Sequence, residues 1–290
     1  MALPLTGAQT GVWLAQQLEP DNPVYNVGWY MELRGSLDLD RLDAAVRQSL
    51  GEAGSLHVRF TDEGQVPAPV TTHVTHLSFD SVADARAWMD DDFSRLTDLA
   101  HGPTFHHALL RVADDHVIWC QRYHHLVLDA YGFVLVTRRA SELYAAPGDP
   151  RPMPVQALVD ADLAYRDSPA RQQDKEFWHA RMADRPEPVR LVPRAAGQVR
   201  EVVRHTFDLP NALSSRQVIA AVATYVHRVT GASDILLAMP MTGRRDEASR
   251  VTPGMVSTVL PLRVTVRPDS TITDLVADVD REVREVVPHS

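Results

Sequence analysis

Apolar positions recur at helical spacing near the start of the chain, in "LTGAQTGVWLAQQLEP". Val12, Trp13 and Leu18 follow a helical period, Thr6 is suited to cap the first turn, and Pro20 stops the helix. "VYNVGWYMELRGSL" reads as a strand with a turn at Gly35, and "DLDRLDAAVRQSLGEAG" as an amphipathic helix with Leu42, Ala45, Val46 and Leu50 on one stripe. "SLHVRFTDEGQVPAPV" predicts two strands around a turn at Glu63-Gly64. "SVADARAWMDDDFSRLTDLA" predicts an acidic helix, and "TFHHALLRVADDHVIWCQRYHH" two strands joined at Asp114-Asp115. The helix "FVLVTRRASELYAA" follows.

A proline-rich connector, "AAPGDPRPMPV", leads into a helical stretch through "YRDSPARQQDKEFWHARMAD". After a second break between Pro186 and Pro193 the pattern restarts. It predicts a strand at "VVRHTFDLP", a helix at "SRQVIAAVATYVHRVTG", strands at "DILLAMPMTG" and "VLPLRVTVRP", and a helix at "TITDLVADVDREVREVV". Strands and helices in this order predict an α/β class, an α+β sandwich. The chain is long enough for two lobes, and the boundary is expected near residue 180, giving lobes of 1–180 and 181–290.

Composition narrows the function classes. The net charge of −9 argues against a nucleic-acid partner, which calls for a basic face. No apolar run reaches the length of a membrane span, and the start of the chain lacks the features of a signal peptide. Cys120 is the single cysteine and has no internal disulfide partner. A cytoplasmic protein is the simple expectation.

Chemistry concentrates in "RYHHLVLDAYGF", Arg122 to Phe133, where an apolar strand gives way to a helix. The strand reads as buried on both faces. His124 and His125 are adjacent, so their side chains point to opposite faces and do not easily share one metal ion. No metal-ligand spacing occurs elsewhere. No GxSxG elbow is present, and Cys120 has no evident base, so covalent catalysis has little support. Packing alone is the common fate of strand histidines. Against it stands Asp129, because a buried carboxylate needs a partner. An imidazole titrating near neutrality suits proton transfer from an amine or alcohol.

"HHLVLDAYG" resembles the HHxxxDG motif of condensation domains of nonribosomal peptide synthetases, within the chloramphenicol-acetyltransferase-like superfamily. Three further stretches carry the resemblance. "LTGAQTGVWLAQQLEPDNPVYNV" is similar to the family's opening motif, with Ala8, Gln9, Trp13, Gln17, Leu18, Pro20, Tyr25 and Asn26 in place. "ASELY" matches the helix after the histidines, and "GMVSTVLPLRV" the later motif ending in LPLR. The resemblance implies two chloramphenicol-acetyltransferase-like lobes with a tunnel between them. It implies an amide-forming acyltransferase that joins a donor thioester to an acceptor amine. Both substrates would be presented on the phosphopantetheine of donor and acceptor carrier proteins, beside an adenylation domain. No cofactor, metal, nucleic acid or membrane partner belongs to this picture. His125 would be the catalytic residue, as general base or as the group that holds the amine. His124 would be structural, and Asp129 would pair with an arginine to order the loop. Two alternatives stay open: an epimerization domain of the same superfamily, or a carrier-protein docking fragment without activity.

The chain departs from the pattern at several points. Ala130 stands where the motif has glycine, and Gly132 is expected to keep a flexible position before the helix. His57 replaces the arginine many relatives have, leaving Arg59 as the candidate partner of Asp129, and Thr258 stands where asparagine is common. Such domains run to roughly three times a 150-residue domain, about 450 residues. The second lobe is therefore expected to be incomplete, and the isolated 290 residues weak or inactive. Packing or surface roles are expected for His106 and His107, and a solvated helix face for Asp90 to Asp92. Arg244 and Arg245 are expected in a solvated loop, with contact to a carrier phosphate as the alternative.

Overall fold

The computed structural model describes residues 2–191 and 213–290. They form two compact units. The first runs to Arg166 and takes in Arg244–Ser257; the second holds the described residues of Asp167–Gly243 and Thr258–Ser290.

The first unit opens with α1 (Gly7–Leu18), fixed by a capping box in which Thr6 and Gln9 satisfy each other's backbone amides. Then come β1 (Asn26–Arg34), α2 (Leu39–Glu52), β2 (Val58–Thr61), β3 (Gly64–Pro67) and β4 (Val74–Ser78). Next are α3 (Val82–Phe93), β5 (Phe105–Ala113), β6 (His116–His124), α4 (Ala130–Ala145) and α5 (Gln156–Arg166). The main sheet has the order β1-β6-β5-β4. Its pairs are antiparallel except β4 with β5, which α3 connects as a crossover. Leu42, Val46 and Leu50 of α2 join Val136 and Ala140 of α4 in the core on one sheet face, around Leu109, Trp119 and Tyr123. On the other face Ala85 and Met89 of α3 cover Ala108, Leu110, Ile118 and Cys120. Strand β6 has a neighbour on each edge and a helical layer on each face, so all nine of its residues are buried. The apolar run predicted this.

The β2–β3 hairpin is a separate two-stranded sheet. Gly64 turns it with φ +123°, a conformation that favours glycine, and the Leu3 backbone lies against its Cα. Leu3 and Gln65 exchange both backbone hydrogen bonds at 2.8 Å.

The second unit holds α6 (Pro169–Arg181), α7 (Ser215–Thr230), β7 (Asp234–Met241), β8 (Thr258–Thr265) and α9 (Ile272–Val286). Strands β7 and β8 pair antiparallel. Ala220, Ala223 and Val226 of α7 and Leu275, Val279 and Val283 of α9 bury them. Between β7 and β8 the short helix α8 (Glu247–Val251) lies in the segment that belongs to the first unit.

The mixed α/β class follows the expectation, while several details differ. The sequence reading missed β4, a five-residue strand with one buried position. Helix α3 ends at Phe93, short of Ala100, because the Ser94 amide closes it on the carbonyls of Asp90, Asp91 and Asp92. The division expected at residue 180 falls at Arg166/Asp167. The cause is α6, whose Trp178 donates to the His289 carbonyl at 2.9 Å and whose Arg181 binds Glu282 and Glu285. The strand expected at 202–210 lies outside the described residues. Among the described residues, no helix is long and apolar enough to cross a membrane.

Candidate active site

The site is built where β6 ends. His124 is its last residue, and His125 begins the turn into α4. The two rings differ in surroundings, His124 closing the strand and His125 opening the turn. His124 is 2% exposed, whereas His125 is half-buried. The Leu126 amide donates to His124 Nδ1 at 3.2 Å, so the ring carries its proton on Nε2, which donates to Gln16 Oε1 at 3.1 Å. Burial, and then the nearby charge of His125, push His124 down to about 4. His124 is therefore a neutral ring at physiological pH, with both nitrogens engaged. His125 is held by its backbone, whose N–H donates to the Tyr25 carbonyl at 2.8 Å. Its Nδ1 is buried and meets no hydrogen-bond partner among the described residues.

Asp129 caps α4. Its Oδ1 accepts from the Gly132 amide at 2.7 Å and from Arg244 Nη2 at 2.8 Å. Its Oδ2 accepts from the Val256 and Ser257 amides at 3.0 and 2.9 Å. All four contacts are donors to one carboxylate, which is fully committed and faces no free space for chemistry. Arg244 completes the clamp by donating to the carbonyls of Ser249, Thr252 and Gly254, and its guanidinium lies 4.6 Å from the Tyr131 ring.

The arginine expectation for Asp129 holds, but the residue is Arg244 and not Arg59. Strand β2 alternates, so Val58 and Phe60 point inward and Arg59 is exposed. Arg244 is buried in this pair, so the solvated-loop and phosphate expectations both fail for it. Arg245 instead lies over the Tyr165 ring at 5.6 Å. His57 bonds locally: the Val70 amide donates to its Nδ1, and its Nε2 meets the Leu50 carbonyl.

Ala130 is exposed at the first position of α4, and no non-glycine residue among those described has positive φ. Gly132 is no hinge. It lies inside α4, and a Cβ there would meet Gly254 N at 2.9 Å and Leu128 Cδ2 at 2.9 Å. Its absent side chain lets α4 approach the Arg244–Ser257 segment closely.

Two polar networks support the sheet. Trp119 Nε1 donates to His107 Nδ1 at 3.1 Å, so His107 Nε2 donates to the Tyr123 hydroxyl at 2.6 Å, which in turn donates to Gln121. Burial, and then His106, push His107 down to about 3. On the opposite face Asp92 is 1% exposed and binds Arg122 at 3.1 Å and His106 at 2.9 Å. Asp92 thus departs from the solvated face expected for it, while Asp90 and Asp91 are exposed. Cys120 is buried, and desolvation pushes its thiol up to about 12. Among the described residues no three His, Cys, Asp or Glu side chains gather as a metal site. A cleft of about 440 Å³ opens beside α1; Gln16 lines it and His125 does not.

A family model for the condensation domain matches residues 1–290. The chain belongs to the condensation-domain family of nonribosomal peptide synthetases. This condensation domain is 37% identical to a dimodular nonribosomal peptide synthase of Bacillus subtilis, over 98% of its own length and 13% of that protein. It is 28% identical to enterobactin synthase component F of Escherichia coli, over 99% of its length and 25% of that chain. It therefore spans a quarter or less of these relatives. A variant of the starter condensation domain of rhizomide synthetase RzmA, solved with C8-CoA, is similar with a TM-score of 0.92 and 33% identity, over 100% of this chain and 72% of that one. The first condensation domain of the calcium-dependent antibiotic synthetase, solved with a substrate analogue, gives 0.89 and 31%, over 100% and 76%. These condensation-type relatives give the epimerization alternative no support.

The sequence reading of this condensation domain singled out Gln17 and passed over Gln16 and the Val256 and Ser257 amides, and it named Arg244 without linking it to Asp129. A signal for Gln16 existed. Gln9 and Gln16 are seven residues apart and share the inward face with Val12 and Trp13, a polar residue at a core position of the period.

Proposed function

We propose that this domain forms an amide between a carrier-bound donor thioester and the amine of a carrier-bound acceptor, with His125 at the reacting atoms. The amine nitrogen attacks the thioester carbonyl, the C–N bond forms, the C–S bond breaks, and the thiol leaves with a proton. His125 takes the proton from the amine or holds the amine for attack. The observation that supports this role is the contrast within the histidine pair. His124 is buried and bonded at both nitrogens, Asp129 is committed four times over, and His125 alone of the three presents a partly exposed ring with no hydrogen-bonded side-chain partner among the described residues. Donor and acceptor carrier proteins and an adjoining adenylation domain are the partners this reading calls for, in a cytoplasmic setting. Likeness to a starter domain solved with C8-CoA, and 35% identity to an isonitrile lipopeptide synthase of Streptomyces coeruleorubidus, support an acyl chain as donor.

The test is His125→Ala in the synthetase that carries this domain. Carrier loading should be unchanged and amide formation should fall by about 10²-fold or more, the scale of a lost proton-transfer group. A loss of only a few-fold would remove His125 from the chemistry. Offering C8-acyl and aminoacyl carriers in competition tests the donor, and preference for the aminoacyl carrier would count against the acyl reading.

A further inference from the structure

The opening segment grips the histidine turn at three consecutive residues. Gln16 Oε1 receives the His124 ring proton, the Tyr25 carbonyl receives the His125 amide, and Gln9 Nε2 donates to the Leu126 carbonyl at 3.0 Å. Gln16 has a second task. Its Nε2 donates to the carbonyls of Glu19, Pro20 and Asn22 at 2.9, 3.3 and 3.2 Å, which folds the chain back after α1. That bend delivers Tyr25, whose carbonyl holds His125. One side chain therefore touches the His125 backbone by two routes: through the ring of its neighbour, and through the loop that supplies its acceptor.

The chemistry of the amide suits this. A neutral imidazole exists as either of two tautomers. Only the Nε2–H form leaves Nδ1 free to accept from Leu126, and the Gln16 oxygen selects that form. An apolar side chain of equal size would fill the space without choosing a tautomer or anchoring the carbonyls. On its outer side Gln16 lines the open cleft, so no close-packed neighbour stands ready to hold the loop in its absence.

We infer that Gln16 is a positioning residue for the reaction, acting through His124 to fix the place of His125. The inference rests on the role of His125 proposed above. A shift of about 1 Å in a reacting group can cost about 10²-fold, so a loss of roughly ten- to a hundred-fold in kcat is expected for Gln16→Met. KM for the loaded carriers should stay within about two-fold, because the Gln16 amide is spent on His124 and on the Glu19, Pro20 and Asn22 carbonyls. The distinguishing result is coupling. In a His124→Asn background the same change should cost about two-fold or less, since residues acting through one another are not additive. Nitrogen-15 spectra of the imidazoles give a second readout: His124 should be the Nε2–H tautomer in the parent and a mixture in Gln16→Met. If Gln16→Met does not fold, as thermal melting reveals, Gln16→Asn withdraws the amide from His124 and enters the same cycle. An unchanged kcat, or losses that multiply in the double variant, overturn the inference. A parent synthetase that forms no amide from loaded carriers overturns the assigned reaction instead, and the two failures are separable.

Discussion

Removing the Asp129 carboxylate should unfasten the Arg244–Ser257 segment from α4. Side-chain exposure is 1% for Asp129 and 2% for Arg244, so their pair lies in a low-dielectric interior. Deleting one member of a buried ion pair costs about 3–5 kcal/mol, because the other charge stays buried. Asp129→Ala also leaves the Val256 and Ser257 amides without an acceptor, while Arg244 keeps its carbonyl partners. Those effects offset in part, so the same range serves for the whole substitution. For a unit of this size, about 2–4 °C per kcal/mol converts it to a drop in Tm of about 6–20 °C. Asp129→Asn should be nearly as costly. Each carboxylate oxygen accepts from two N–H groups, so an amide nitrogen in either place would point at two donors. Thermal melting and urea titration of the parent, both variants, Arg244→Met and the double variant measure the loss and the coupling. A variant within about 0.5 kcal/mol of the parent would refute the clamp. If it also failed to form amide, Asp129 would have to be a direct participant in the reaction.

Four further outcomes are expected. His107 and His124 stay neutral in the fold, with values near 3 and 4, while in the unfolded chain they protonate near 6.5. The unfolded state therefore binds more protons below pH ~6.5, and stability should fall with pH down to about 4 for His124 and about 3 for His107. His107→Gln should flatten that slope by up to one proton, and an unaltered slope would contradict the burial argument. Asp92→Ala should cost about 3–5 kcal/mol by urea titration, against about 0.5 or less for the exposed neighbour Asp91→Ala. Gly132→Ala should lower Tm, because its Cβ meets the Gly254 backbone; overpacking of this kind costs about 1–3 kcal/mol. Ala130→Gly should cost about 1 kcal/mol or less, since it trades only helix propensity.

The elements whose residues answer to their own neighbours were legible in the sequence. The apolar run of β6 predicted a strand covered on both faces, and the Thr6 cap of α1 and the apolar periods of α1, α2, α7 and α9 predicted helices. A structural carboxylate at Asp129 was also legible, because the resemblance implied that it pairs with an arginine to order the loop. Its partner was not, since Arg244 lies 115 residues away in a stretch with no local pattern. The "GMVS" half of the later motif was assigned to the second lobe for the same reason. Asp92 was hidden by company: three identical acids read as one solvated face, although Ala85, Met89 and Asp92 are spaced to share the inward stripe. Strand β4 was missed because a parallel edge strand with one buried residue carries almost no alternation.

The reach of the Asp129 clamp has a consequence for how the protein is made. Ser257, which supplies one of the donors to that carboxylate, is 128 residues further along the chain. At about 5–20 residues per second, a ribosome needs about 6–25 s to synthesise that interval. Throughout it the nascent first unit has its histidine strand and α4 segments but no clamp, with the Asp129 side chain bare where the closing segment will sit. The first unit is therefore completed only after most of the second has been synthesised. Synonymous-codon changes that slow translation between residues 130 and 257 would prolong the open stage, and exposure to proteases during synthesis should rise with them.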